Sequence, residues 1–152
     1  MGTRFMAGIL LLMATINGAA AHDLGQYQWR HRLLFLVSSS SDDPGIATQR
    51  RWIQRRSEAL LDRDVIVFQV FSDQGLVGDR TLPAQAVRQL RQQLKVAAND
   101  RSVVLIGKDG GIKRRAALDT DLGDLLFQID AMPMRRDEVE AKTEAGVSVT
   151  AP

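Results

Sequence analysis

A chain of 152 residues that is 45% hydrophobic has the material for one domain with its own core. Its 20 basic and 18 acidic residues give a formal net charge of +2, without the strong basic excess of a nucleic-acid binder, so no nucleic-acid partner is expected. There is no cysteine, which excludes disulfide exchange, a peroxidatic thiol and any structural disulfide.

The first residues read as an address. Arg4 supplies a positive start, Phe5 to Ile16 form an apolar run, and Ala19-Ala20-Ala21 is a small-residue cut site. The expectation is a signal peptide over residues 1–21, cleaved after Ala21, with an uncleaved anchor as the alternative. The run is short for a bilayer, which takes about 20 apolar residues, and no later segment is long and apolar enough. The mature chain then begins at His22, in the periplasm or outside the cell, and its basic and acidic side chains nearly balance.

From Arg32 to Ser39 the chain reads as a buried strand, since Leu33 to Val37 is an unbroken apolar run. Asp43-Pro44 starts a helix expected to run to about Asp62, with Ile46, Ile53, Leu60 and Leu61 on one face. Asp64 to Phe71 is a second strand, rich in Val, Ile and Phe. Ser72 to Leu82 is expected as a loop with room for a short hairpin. Pro83 opens a second helix in which Val87, Leu90 and Leu94 share a face. Ser102 to Gly107 is a third strand, and the Asp109-Gly110 turn returns Ile112 to Ala116 antiparallel. Asp119 or Thr120 caps a last helix through about Ala131, ended by Pro133. From Asp137 to Pro152 the chain is polar and aperiodic, and is expected as a disordered tail.

The order β-α-β-α-β-β-α, with right-handed crossovers, implies a mixed four-stranded sheet between helices. That is a three-layer α/β sandwich of the thioredoxin-like kind, spanning residues 22–136.

Two stretches carry a closer resemblance. The first is Leu24 to Leu36 (LGQYQWRHRLLFL), and the second is Val104 to Lys113 (VLIGKDGGIK) followed by Ile129 to Arg136 (IDAMPMRR), the most specific signature in the chain. Together they resemble the P-DUDES group, exported bacterial proteins whose domain is shared with secreted vertebrate sushi-repeat and coiled-coil proteins. The resemblance implies a thioredoxin-like, peroxiredoxin-related domain of unestablished activity, with no catalytic residues to transfer. Against redox-active thioredoxins the departures are sharp. Ser38 to Gly45 (SSSSDDPG) stands where their cysteine pair would lie, and Asp100-Arg101-Ser102 where a cis-proline would precede the third strand.

Several side chains stand out as candidate sites, each with a plainer reading beside it. Asp42 and Asp43 lie at the carboxyl end of the first strand, where open α/β sheets bind ligands, but Asp43 also suits a helix cap. Arg50, near the apolar face of the first helix, either reaches the sheet end and clamps a carboxylate or phosphate or snorkels at the core edge. Trp29, among Arg30, His31 and Arg32, forms a binding strip or covers a core edge. Met132, Pro133, Met134, Arg135 and Arg136 offer a partner-docking surface, or thioethers for Cu(I), or simply a packed turn. His22, at a freed amino terminus, has the nitrogens for Cu(II). No serine-histidine site and no nucleophile elbow is present, and no cofactor is expected. The leading reading is a non-catalytic binding or interaction module with a protein partner. The alternative is a metal- or small-ligand-binding protein, or a non-thiol enzyme, with its site at the end of the first strand.

Overall fold

The structure, a computed structural model, describes residues 23–147 and 149. The leader expected over residues 1–21 and the chelating role of His22 lie outside the described residues.

A 3₁₀ turn, Leu24–Tyr27, leads into β1 (Arg32–Val37), whose six residues are all buried. A strand covered on both faces needs such an unbroken apolar run. α1 (Pro44–Arg55) and α2 (Ser57–Asp62) follow, then β2 (Val65–Val70), β3 (Gly75–Val77), β4 (Arg80–Leu82) and α3 (Ala84–Leu94). The chain continues with β5 (Ser102–Ile106), β6 (Ile112–Ala117), α4 (Leu125–Asp130) and α5 (Pro133–Glu144).

The sheet has six strands in the order β4-β3-β2-β1-β5-β6. β1 and β2 are parallel, with Arg32 opposite Val65, while β5 is antiparallel to β1 and β6 to β5. The expected count of four strands is therefore corrected to six. Ser72 to Leu82 is not an accessory loop: its hairpin extends the sheet beyond β2, pairing Phe68 with Val77.

Each face of the sheet has its own core. Leu34, Leu36, Val103 and Leu105 meet Ile46, Leu60, Leu122, Leu125, Leu126 and Ile129 on one side. Leu33, Phe35, Val37, Phe68 and Val104 meet Val87, Leu90 and Leu94 of α3 on the other. Fully burying such a side chain contributes about 1.5–3 kcal/mol, so β1 ties both layers together.

Three helix expectations change. The first helix breaks at Arg56, whose φ of −114° and ψ of 17° are not helical, giving α1 and α2. The last core helix begins at Leu125 rather than near Asp119, because Asp119 is engaged by Arg101. Pro133 does follow the end of α4, with Met132 extended, but it also opens α5 at the position where proline fits a helix. The segment expected as a tail is thus helical through Glu144. Its apolar pattern is weak because charge, not apolar area, attaches it: Arg135 is the one residue of α5 that is fully buried.

Candidate functional site

The carboxyl end of β1 is closed by an ion cluster. The Asp43 carboxylate caps α1 by accepting from the Gly45 amide at 2.8 Å and accepts from the Ser38 hydroxyl at 2.8 Å. Arg101, just before β5, donates to both Asp43 oxygens at 2.6 and 2.8 Å and to Asp119 at 2.8 and 3.1 Å. The Arg101 hydrogen bond holds the Asp43 carboxyl well below the usual carboxylate range, and the two aspartates raise Arg101 in turn. Asp43 therefore acts as a cap and clamp.

Asp42 is exposed, and its amide rests on the Ser40 hydroxyl. Arg50 does not join these carboxylates. Its Nε donates to Gln69 of β2 at 2.7 Å, beside a hollow of about 200 Å³ near Gly78 and Asp79. Trp29 is 63% exposed, so it covers no core edge. Among the described residues no cluster of three or more His, Cys, Asp or Glu side chains is placed to hold a metal ion.

The opposite end of the sheet is built differently. Here Arg32 opens β1, Arg63 and Asp64 precede β2, and Lys108 follows β5. Arg32 donates to Glu138 through two bonds of 3.1 Å and to the Arg63 carbonyl at 2.9 Å. Arg63 forks onto Asp130 at 2.8 and 2.6 Å. Lys108 contacts Asp64 at 2.8 Å and Glu138 at 2.7 Å. Arg135 reaches Asp62 at 2.5 Å and Asp130 at 3.3 Å, and Lys142 reaches Asp62 at 2.8 Å. Burial pushes the Glu138 carboxyl up, but the bonds from Arg32 and Lys108 outweigh it and leave it lowered. Asp62 is lowered in the same way by Lys142 and Arg135 against the effect of its burial.

Against this network lies a cavity of about 510 Å³. Arg32, Gly107, Lys108 and Asp109 form one wall, Lys113 of β6 and Gln128 of α4 another, and Ala131 to Met134 the third. The Asp109-Gly110 turn shapes its rim: Gly110 has φ +82°, the Gly107 amide donates to Gly111 at 2.8 Å, and Lys113 pairs with Asp109 at 2.6 Å. Met132 and Met134 are half-buried in its wall.

Met132, Pro133 and Met134, singled out by sequence, thus share one cavity. Arg135 is a correction: wholly buried under α5, it is unavailable as a docking surface. Arg136, its neighbour, is exposed. Arg32, read from sequence as part of an exposed strip around Trp29, is instead buried at the start of β1, which corrects that expectation. Lys108 and Glu138 were missed. For Lys108 the available signal was a basic residue just beyond an apolar strand run, as Arg32 stands just before one.

The fold has known relatives. The reduced 2-Cys peroxiredoxin of Plasmodium vivax superposes with a TM-score of 0.57 at 15% identity, covering 81% of this chain and 72% of that one. The mitochondrial 2-Cys peroxiredoxin of Plasmodium falciparum gives 0.53 at 13% identity, over 84% and 86% of the two chains. At such identities the likeness establishes a peroxiredoxin- and thioredoxin-like fold alone, and this chain has no cysteine for thiol chemistry. In sequence it is 27% identical over 150 residues to the Xenopus laevis protein named Sushi repeat-containing protein SRPX2. The match covers 94% of this chain but 32% of that protein, so the chain spans about a third of its relative's length. Residues 23–138 match the family described as Domain of unknown function (DUF4174), whose span runs from the lead-in to β1 as far as Glu138 of the ion network, and the chain belongs to that family.

Proposed function

We propose that this chain is an exported, non-catalytic binding module of the P-DUDES kind, working by contact at the amino end of β1. One observation carries the reading. The stretches that gave the sequence its resemblance meet at the cavity, through Arg32, through Gly107 to Asp109 with Lys113, and through Ala131 to Met134. The carboxyl end of β1, where open α/β sheets bind ligands, is closed instead by Asp43, Arg101 and Asp119. Half-buried methionines beside a rigid proline suit contact recognition, because the thioether side chain adapts to an apolar partner.

The test is photo-crosslinking in the exporting host. A benzophenone amino acid replaces Gln128 on the cavity rim, and separately replaces Arg101 at the other end. One defined adduct from position 128, absent from position 101, is expected. Adducts from neither position, or from 101 alone, overturn the reading.

A further inference from the structure

We infer that the cavity takes a singly charged carboxylate carried on an apolar chain, an inference that rests on the binding-module reading above and names its ligand. Charge is the first argument. The network beside the cavity joins five basic side chains (Arg32, Arg63, Lys108, Arg135, Lys142) to four acidic ones (Asp62, Asp64, Asp130, Glu138). One positive charge is left uncompensated within it. Lys113, on the rim, is matched by Asp109 and adds none. A monoanion balances the site, whereas a doubly charged phosphate overshoots it.

The second argument is an unmet donor. Arg32 is 1% exposed and lines the cavity, and its Nε is buried without a hydrogen-bond partner among the described residues. A buried guanidinium donor left unpaired costs the desolvation of a charged group, so a small shift of the Arg32 side chain that brings Nε to a carboxylate in the cavity is favoured. The third is the start of the twelve-residue α5 in the cavity wall. Pro133 has no amide hydrogen and the Arg135 and Arg136 amides already donate to the Met132 carbonyl at 3.0 and 3.2 Å, so the Met134 amide is the one this first turn leaves for a ligand. No side chain caps this helix, and its positive end favours an anion. The fourth is shape: Met132, Met134 and Ala131 supply an apolar wall for the ligand's chain.

The chain carries five methionines, and apart from those in the leader they are Met132 and Met134 alone, both in the cavity wall. Methyl-labelled methionine therefore gives a site-specific NMR readout in the exported chain from which the leader has been cleaved. Hexanoate is the probe, with hexan-1-ol and hexylamine as neutral and cationic counterparts of the same chain. Hexanoate is expected to shift both methyl signals saturably and to bind about tenfold more tightly than hexan-1-ol, as a charge-assisted hydrogen bond implies. Hexylamine shifts neither. Lys113→Gln weakens hexanoate about threefold and leaves hexan-1-ol unchanged. Ala131→Trp, at an exposed position, blocks both. N-acetyl-leucine distinguishes the source of the carboxylate: tighter binding than hexanoate marks a polypeptide terminus, and weaker binding a free acid. Equal affinity for hexanoate and hexan-1-ol, or methyl signals unmoved by either, overturns the inference. If the Gln128 crosslink still forms in that case, the module reading stands and only the ligand class falls.

Discussion

Arg32 and Glu138, 106 residues apart in the chain, form a two-pronged ion pair that fastens α5 to the first residue of β1. Glu138 also binds Lys108, so one carboxylate compensates two cations, one of them wholly buried. Its removal should therefore cost more than a surface ion pair. Glu138→Ala is expected to destabilise the protein by about 3 kcal/mol, since a buried charge then loses its partner. Urea unfolding measures this, with Asp137→Ala, on the exposed side of the same helix, staying within about 0.5 kcal/mol. Arg32→Met combined with Glu138→Met should lose less than the sum of the two single changes, because the pair's members act together.

The same network sets a pH dependence. Glu138 and Asp62 are both held below their ordinary values of 4.5 and 3.8 by their basic partners, despite burial acting the other way. A carboxyl lowered in the folded state contributes stability that is fully present above its unfolded value. That contribution is lost as pH falls through the folded value. Stability should hold steady from neutrality to about pH 5 and decline below it. The decline should begin with loss of α5 helicity, because α5 buries little besides Arg135. Circular dichroism across an acid titration checks this, and Asp62→Asn should flatten the curve. A decline that is unchanged in Asp62→Asn would assign the acid sensitivity elsewhere.

The buried runs of β1 and β5, the Asp43-Pro44 helix start and the Asp109-Gly110 turn were legible because each depends on local chemistry. The β3–β4 hairpin was less so. Its strands are three residues each, too short to show alternation, and they form by pairing onto β2. α5 was hidden for a related reason. Its attachment comes from Arg135, Glu138 and Lys142 meeting groups some 73 to 106 residues away, which no window along the chain displays. At the site, the methionines and the Lys108-to-Lys113 turn were visible as segments. Their meeting with Arg32 was set by the antiparallel register of β1 and β5, which places Leu33 opposite Ile106.

Asp43 separates two roles that substitution can tell apart. Asp43→Asn keeps a side-chain oxygen for the Gly45 amide and should cost little. Asp43→Ala removes the cap and should cost about 1 kcal/mol. Both release Arg101, and neither should alter hexanoate binding, because the cluster lies at the opposite end of β1 from the cavity. Thermal unfolding and the methionine methyl titration measure the two effects separately. A change in the titration would mean that the two ends of the sheet are coupled.

Gly110 is the residue on which the cavity rim turns. Its φ of +82° is readily open to glycine and strained for other residues, while an added Cβ would meet only Gln28 atoms at an ordinary 3.5 Å. The cost of Gly110→Ala is therefore backbone strain rather than a clash, and about 1–2 kcal/mol is expected. The strain falls on the Gly107–Gly111 turn, which carries Asp109, the partner of Lys113. Gly110→Ala should thus lower stability and also broaden or move the Met132 and Met134 methyl signals before any ligand is added. Gly78 provides the control: its φ is +56° and an added Cβ meets nothing within 4 Å, but it sits in the β3–β4 hairpin. Gly78→Ala should cost a similar amount of stability and leave both methyl signals in place. Equal disturbance of the methyls by both substitutions would show that they report global loosening rather than the rim.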